Sequence, residues 1–368
     1  MGQEKEALLE RYINFIEQKL SFPLSYKGNF SDYLFSYLDD YKQGVFELGG
    51  MSNEEFDKLE GVIEGIKKAV DEYYQGQPAK AYSSIEKGLR LITDEMNSHL
   101  ESLNADKLYR LRTCEDGNSN EYSREEMFHI PFHLRTLVAT QRYSIPGLPS
   151  IYLGSSAYVC WEELGRPNFS NLKISMYRKT SDLRIIDFGI PPSQIVDYGR
   201  NQDAIQREGI DKMLKEINIY LIIWPLIAAC SVKVKEKKHT FKPEYILPQL
   251  VLQYVTTNEY DGIRYLSVNN SFQQTDYRLL HNYVFPAKTT LSNGHCTELK
   301  KCFQLTRGIP WSIYEIYKGT PSGLPPGETG LRLLRVGFEG SPLLRYGDTD
   351  FGRFERFLED KVERDYIL

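Results

Sequence analysis

The sequence predicts an α+β protein with an N-terminal α-helical bundle, and three observations lead to this fold class. Apolar residues such as Leu59, Val62 and Ile63 recur at helical spacing within residues 1–104. From Leu108 onward, short β-branched and aromatic runs alternate with turn residues, as strands do. These runs follow no regular βαβ order, so we expect a mixed, largely antiparallel β core.

The N-terminal bundle is predicted from caps and turns as well as from periodicity. Ser52 and Glu55 form a capping box at the start of one helix. In the "QGQP" stretch at residues 75–78, a glycine is expected to end one helix and a proline to begin the next. The two helices should therefore form a hairpin. Arg90 and His99 are too far apart for an RNase of the HEPN type. We expect the bundle to regulate the protein or to self-associate.

The strand-like runs and the helices between them lie beyond the bundle. The runs are "PSIYLG", "LKISMYR", "LRIIDFG", "DGIRYLSV" and "HNYVFP", and the helical stretches are 156–164, 201–220 and 248–256. Beyond Pro286 the chain holds a Gly/Pro-rich stretch, "GTPSGLPPGETG", and then a charged helix at 352–362. We expect this last part to be an appendage.

Composition excludes several classes of protein. The net charge of −5 disfavours a bulk nucleic-acid binder, which usually carries a basic excess. The five cysteines are scattered without a CxxC pair, which indicates a reducing compartment, no disulfide framework and no zinc site. The longest apolar run, residues 217–230, is too short to span a bilayer and is broken by Pro225. We therefore expect a cytoplasmic protein with a buried core segment and no membrane contact.

Ordinary catalytic motifs are absent from the sequence. It contains no G-x-G-x-x-G after a strand, no Walker lysine, no H-E-x-x-H and no G-x-S-x-G elbow. His129 and His133 form the one close histidine pair, but Pro131 between them breaks the helical geometry that a metal site would need. We expect these histidines to be structural.

Residues 140–167 combine several chemically active side chains in a short, well-defined segment. Arg142 precedes the turn "IPGLP", and the strand "SIYLG" then presents Tyr152. A helix capped by Ser155 or Ser156 follows and carries two adjacent acids, Glu162 and Glu163. Adjacent helical residues point about 100° apart, so one acid can face inward while the other meets solvent.

Three blocks in this order resemble the RES-domain family across residues 105–287. The blocks are "LYRLR", "QRYSIPGLPSIYLG......CWEEL" and "PQLVLQYV...EYDGIRYLSVNN". The resemblance implies an ADP-ribosyltransferase-like fold and an enzyme that degrades NAD as a hydrolase or phosphorylase. Family members are often toxins of toxin–antitoxin pairs, so it also implies a toxin or defence effector and an antitoxin or regulatory partner.

The resemblance assigns four residues to catalysis. The family arginine, which follows an aromatic residue, falls on Arg110, and the family tyrosine falls on Tyr152. The family glutamate lies eleven residues later, on Glu163, and the family serine falls on Ser267. Arg110 would bind the diphosphate of NAD and Tyr152 would line the nicotinamide. Glu163 would bond the ribose and stabilise an oxocarbenium-like state, and Ser267 would orient the nicotinamide or the ribose.

Five further residues are expected to bind substrate: Tyr109, Arg112, Arg142, Tyr143 and Glu162. Arg142 matches the arginine of the family's Gly-Gly-Arg-Trp-Asn block, and Tyr143 keeps the aromatic residue after it. Glu162 remains the alternative to Glu163 as the catalytic acid. NAD is the substrate in this assignment, and neither a cofactor nor a metal is required.

The predicted organisation is a helical bundle at 1–104, a RES-like catalytic domain at 105–287 and an extension at 288–368. Two other functions stay open at this point. The protein could be an ADP-ribosyltransferase that modifies a macromolecule, or an inactive nucleotide-binding or interaction module. A homo-oligomer built through the bundle is a further expectation.

Overall fold

The structure is a computed structural model that describes residues 2–101, 107–114, 120–268, 276–317, 333–337 and 343–362. Within these ranges it contains fourteen α-helices and eleven strands. The helices are α1 (Gly2–Lys19), α2 (Phe30–Leu48), α3 (Asn53–Tyr74), α4 (Pro78–Leu91), α5 (Thr93–Ser98), α6 (Arg124–Met127), α7 (Ala157–Glu163), α8 (Pro192–Arg200), α9 (Gln202–Glu208), α10 (Ile210–Cys230), α11 (Ile246–Thr257), α12 (Thr297–Cys302), α13 (Trp311–Tyr317) and α14 (Asp350–Val362). The strands are β1 (Leu100–Glu101), β2 (Lys107–Thr113), β3 (Ser150–Gly154), β4 (Leu172–Lys179), β5 (Ile185–Phe188), β6 (Gly262–Leu266), β7 (His281–Pro286), β8 (Phe303–Leu305), β9 (Ile309–Pro310), β10 (Arg335–Val336) and β11 (Leu344–Arg345). The predicted α+β class is confirmed.

The chain divides into two compact units. The first, here called the helical unit, comprises Met1–Leu100, Gln141–Ser144 and Ile186–Asn258. The second, the sheet unit, comprises Glu101–Thr140, Ile145–Ile185 and Glu259–Leu368. This division differs from the predicted boundaries at 104 and 287. Residues 186–258 join the N-terminal helices, and the residues after 287 join the sheet.

The helical unit is larger than the predicted bundle because two apolar helices complete its core. The capping box of Ser52 and Glu55 starts α3, and α3 packs along α4 as the predicted hairpin. Helix α10 packs against α1 and α3, and α11 packs against α3 and α4. Both α10 and α11 are buried on most sides, which is the behaviour of core helices rather than of a surface layer.

Helix α10 continues through Pro225, where the sequence predicted a break. A proline lacks the N–H that would bond the carbonyl four residues earlier, which is that of Leu221. The Tyr41 hydroxyl donates to this carbonyl at 2.6 Å, so the carbonyl stays satisfied inside the core. By length and composition α10 could cross a membrane, but 78% of its most apolar window is buried within the protein. That burial is typical of a core helix.

The sheet unit contains two antiparallel half-sheets that meet at one residue pair. In one half, β3 pairs with β7 over five residue pairs and β7 pairs with β6. In the other half, β2 pairs with β4 over seven residue pairs. Strands β2 and β3 pair only at Tyr109 and Gly154, so they separate beyond that point. The sheet is therefore split between β2 and β3.

The C-terminal part of the chain belongs to this sheet, although we expected an appendage. Strand β8 pairs with β4 from Tyr177 opposite Leu305, and β9 pairs with β4 at Ile174 opposite Ile309. Helix α14 packs against both α7 and β4. Two or three residues per strand give too little periodicity for sequence analysis to detect, which explains the error.

His129 is a core histidine, as expected. Its side chain is fully buried, its Nδ1 donates to the Ile130 carbonyl at 2.7 Å, and its Nε2 accepts from the Cys296 backbone N–H at 2.8 Å. One nitrogen donates and the other accepts, so the ring is neutral. Its pKa is lowered from 6.5 to about 4, chiefly by burial; the hydrogen bond to Ile130 opposes the shift, and the nearby charges of His295 and Arg110 add to it.

This histidine should make the protein sensitive to mild acid. The unfolded chain binds the proton below a pH of about 6.5 and the folded chain only near a pH of about 4. The contribution of neutral His129 to the free energy of unfolding is therefore fully present above about pH 6.5 and is lost as the pH falls toward 4. Urea unfolding at about pH 7.5 and about pH 5 should show a loss of about 2 kcal/mol from this residue. His129→Gln should reduce the change in the free energy of unfolding with pH. His239→Gln, at an exposed histidine, should leave that change as it is in the native chain. Equal profiles for the two variants would contradict this assignment.

Candidate functional site

Helix α7 carries the two predicted acids and lies close against the sheet. The Ser156 side chain caps the helix by accepting from the Val159 N–H at 3.1 Å, and its hydroxyl donates to the Leu279 carbonyl at 2.7 Å. Gly154 lets the helix approach the strand. A Cβ at this glycine would lie 2.5 Å from the Val159 side chain and 2.6 Å from Cys160 Sγ. The glycine therefore fixes α7 directly above the end of β3.

Three side chains meet at the C-terminal end of α7: the Glu163 carboxylate, Ser267 and Asn282. We call this group the carboxylate cluster. Glu163 Oε1 accepts from Ser267 Oγ at 2.5 Å and from Asn282 Nδ2 at 3.0 Å. Ser267 follows β6 and Asn282 belongs to β7, and both are buried, whereas Glu163 is exposed. The second oxygen, Oε2, makes no hydrogen bond to any residue that the structure describes. One oxygen is thus held in place, and the other can accept from a ligand.

The meeting of Glu163 and Ser267, which lie far apart in the sequence, was predicted and is confirmed by their hydrogen bond. Asn282 was missed. It lies inside the run "HNYVFP", where an amide among apolar residues was the available signal. Its role depends on the register that places it opposite Gly154, and this pairing between distant segments cannot be deduced from either segment alone.

Glu162 is turned away from the cluster. Its side chain is 3% exposed, and Oε2 accepts from Arg166 Nε at 2.8 Å. The Arg166 guanidinium also lies 5.7 Å from the centre of the Trp161 ring. The ion pair holds Arg166 in a left-handed conformation, with φ of 60°, just after the helix. This carboxylate therefore stabilises the end of α7, and its expected substrate contact stays a prediction.

Tyr152 and Arg110 lie along the split between β2 and β3. Side chains alternate along a strand, so Tyr152 shares the face of Gly154, which is covered by α7. Arg110 follows Tyr109, the partner of Gly154, and so points to the other face. Burial raises the pKa of Tyr152, and the positive charge of Arg110 opposes that rise. The two side chains are therefore close enough to interact electrostatically.

Arg110 does not join the carboxylate cluster directly. Among the described residues it forms no hydrogen bond or ion pair with Glu163. Its Nη1 is buried without a hydrogen-bond partner, which is costly for a charged donor and indicates an unmet need for an acceptor. The prediction that Arg110 and Glu163 share one cleft stays a prediction, and only a ligand that reaches across the split could contact both.

Arg142 and Tyr143, both expected to bind substrate, belong to the helical unit. Arg142 Nη1 donates to the Cys230 carbonyl at 3.0 Å, and its guanidinium lies 5.4 Å from the centre of the Tyr245 ring. Tyr143 is 1% exposed. Arg142 thus satisfies a carbonyl at the last turn of α10, and Tyr143 is a core residue. Both side chains thus have contacts or burial within the helical unit, and their expected substrate contacts stay predictions.

Tyr109 and Arg112 also have structural contacts. Tyr109 is 4% exposed, and its carbonyl accepts from the Cys160 thiol at 3.2 Å. Arg112 donates to the Glu126 carbonyl, and its guanidinium lies 5.3 Å from the centre of the Tyr122 ring. Arg112 shares the strand face of Arg110, away from α7. The expected substrate contacts of both residues stay predictions.

The C-terminal segment holds the other end of α7. Glu355 in α14 is 5% exposed, and its Oε1 accepts from the Ala157 N–H at 2.7 Å and from the Tyr346 hydroxyl at 2.6 Å. A helix leaves its first N–H groups without internal partners, and this carboxylate satisfies one of them. Sequence analysis missed Glu355 because it lies almost two hundred residues from its partner.

Removal of this carboxylate should destabilise the sheet unit. Glu355→Ala leaves a buried N–H and a buried hydroxyl unpaired, so we expect the free energy of unfolding to fall by about 1–3 kcal/mol. The measurement is urea unfolding followed by circular dichroism. Glu359→Ala, one turn later, breaks the more exposed pair with Lys107 and should cost less than about 1 kcal/mol. A similar loss in both variants would show that α7 does not depend on Glu355.

The fold and the site together define an α+β protein with a carboxylate fixed by a serine and an asparagine beside a split antiparallel sheet. No protein-family model matches the chain, and no solved structure matches it. The chain is 33% identical, over 369 aligned positions, to "Putative toxin YopC" of Bacillus subtilis (strain 168). The alignment covers 95% of this chain and 80% of that protein. The chain therefore belongs to the family of this toxin-like protein.

Proposed function

We propose that the protein is a toxin-like enzyme of the cytoplasm that cleaves the bond between nicotinamide and ribose in NAD. The observation that carries this proposal is the Glu163 carboxylate, which Ser267 and Asn282 hold by one oxygen while the other stays available. Three further points support it: the RES-like sequence blocks, Tyr152 on the same sheet face, and kinship with a protein named as a toxin.

The chemistry requires an acceptor fixed beside the ribose. When the C1′–N bond breaks, its electron pair moves to the nicotinamide nitrogen and C1′ becomes oxocarbenium-like. Glu163 Oε2 would accept from a ribose hydroxyl, and the carboxylate charge would stabilise the positive sugar. Water or phosphate then adds to C1′, and water loses a proton as it does so. The choice between these nucleophiles separates a glycohydrolase from a phosphorylase.

The two donors on Glu163 Oε1 explain why this acid suits the task. Ser267 and Asn282 come from a different part of the chain and fix the carboxylate before substrate arrives. A group that is already positioned needs no reorganisation during the reaction. Glu162 is buried, and its Oε2 is paired with Arg166 at the end of α7. Glu163 is therefore the better catalytic candidate of the two.

Arg110 and Tyr152 would bind the remaining parts of NAD. The partly buried Tyr152 ring offers a flat wall for nicotinamide on the face of the carboxylate cluster. Arg110 carries a cationic donor with no acceptor, and a diphosphate supplies acceptors that suit a guanidinium. NAD would reach both residues by lying across the split between β2 and β3.

Glu163→Gln should abolish NAD cleavage while the protein stays folded. Glutamine keeps the shape and one acceptor oxygen but removes the negative charge that matters most in the transition state. We expect kcat for nicotinamide release to fall by about 10²–10³-fold, with NAD binding largely kept. Chromatography of the products, with and without phosphate, measures the rate and identifies the nucleophile.

Two variants control this test. Glu298→Gln changes an exposed acid on α12 and should leave the rate unchanged. Glu162→Gln should keep activity and lower stability, because its carboxylate holds Arg166. An inactive Glu162→Gln beside an active Glu163→Gln would move the catalytic role to Glu162. Full activity in both variants, or no NAD cleavage by the native chain, would refute the proposed reaction.

A further inference from the structure

The helical unit contains a groove that is not lined by Glu163, Ser267 or Asn282. Its cavity volume is about 530 Å³, within the usual size of a small-molecule site. We call it the basic groove and define it by six lining residues: Tyr26, Tyr74, Lys235, Phe241, Lys242 and Glu244. It combines cations, aromatic rings and one buried acid.

The buried acid indicates that the basic groove needs a hydrogen-bond donor. Glu244 is 2% exposed, and its Oε1 accepts from the Tyr26 hydroxyl at 2.7 Å and from the Lys235 backbone N–H at 2.9 Å. Its Oε2 is buried and accepts no hydrogen bond from any of the described residues. A buried carboxylate oxygen without a donor is unfavourable, so a ligand that presents an amino or hydroxyl group would complete this site.

Two lysines, Lys235 and Lys242, line the basic groove together with a second acid, Glu236, and they belong to a lysine-rich segment. Residues 233–242 include five lysines and one glutamate. Lys235 Nζ donates to the Gly28 carbonyl at 3.1 Å, and Lys242 Nζ donates to the His239 carbonyl at 2.7 Å. Each ammonium group has three donors, so both lysines retain donors for an anion such as phosphate.

Aromatic rings form the third feature. Phe241 is 51% exposed, and its ring centre lies 6.3 Å from those of Tyr73 and Tyr74. The half-exposed phenylalanine and the two tyrosines form an aromatic surface that solvent can reach. A flat heterocycle could stack on this surface.

We propose that the basic groove binds a nucleotide, with its base on Phe241, a base amino or ribose hydroxyl group on Glu244 Oε2, and its phosphate on Lys235 and Lys242. Each feature of the groove then meets one part of the ligand. An acidic peptide from a protein partner fits less well, because the buried Glu244 carboxylate would repel its side chains. This site is independent of the proposed reaction at Glu163.

Titration calorimetry of the full chain with adenosine monophosphate tests the proposal. Adenosine and inorganic phosphate serve as separate probes for the two halves of the ligand. Adenosine monophosphate should bind more tightly than either probe. Phe241→Ala, Lys242→Ala and Glu244→Gln should each weaken its binding about tenfold, the effect of one lost charged hydrogen bond or stacking contact.

Lys238→Ala is the matched control, since this lysine lies in the same basic segment but does not line the groove. Its affinity for adenosine monophosphate should equal that of the native chain. The proposal is overturned if adenosine monophosphate does not bind, if phosphate alone binds as tightly, or if Lys238→Ala weakens binding as much as Lys242→Ala. Binding at any other site would leave Phe241→Ala unchanged and would also refute it. Because Phe241 is half exposed, this variant should fold even if Glu244→Gln does not.

Discussion

The hydrogen bonds to Glu163 Oε1 connect the chemistry of this protein to its architecture. Ser267 and Asn282 bring the ends of β6 and β7 to the last residue of α7, so three separate segments meet at one oxygen. This contact requires α7 to lie tightly on β3, which Gly154 permits and the Ser156 cap directs. Within the described part of the chain, Oε2 makes no hydrogen bond and can accept from a ligand. The placement of the acid thus depends on the sheet register as much as on the helix.

The C-terminal segment supports the same helix from the opposite end. Glu355 accepts from the first N–H of α7, and Tyr346 shares that carboxylate. At the other end, the pair of Glu162 and Arg166 fixes the chain beyond the helix. A seven-residue helix has little stability of its own, so these outside contacts must hold it. The position of Glu163 is therefore a property of the whole sheet unit.

Much of the fold could be predicted because its elements are encoded locally. The five strand-like runs all contain strands, and the capping box at Ser52 and the hairpin of α3 and α4 form as expected. The two compact units differ from the predicted domain boundaries because α10 and α11 follow the first strands in sequence but pack with the N-terminal helices. The break predicted at Pro225 failed because a distant tyrosine satisfies the freed carbonyl. In both cases a contact between remote segments overrode a local signal.

At the candidate site, too, the sequence does not reveal contacts between remote segments. Glu163 and Ser267 could be paired through a family resemblance, whereas Asn282 and Glu355 depend on tertiary contacts that the sequence does not display. The sequence also could not reveal that Arg142 and Tyr143 are used inside the helical unit, or that alternation along β2 turns Arg110 away from α7. The identity of a residue suggests a chemical role, but the strand register decides which side chains lie on the same face of the sheet and can act together.

A crystal structure of the Glu163→Gln chain with bound NAD would test the central claim most directly. We expect a ribose hydroxyl within about 3 Å of the residue 163 side chain. We also expect the nicotinamide against Tyr152 and the diphosphate at the split between β2 and β3. A structure in which NAD binds elsewhere, or in which its ribose lies away from residue 163, would contradict the proposed role of Glu163.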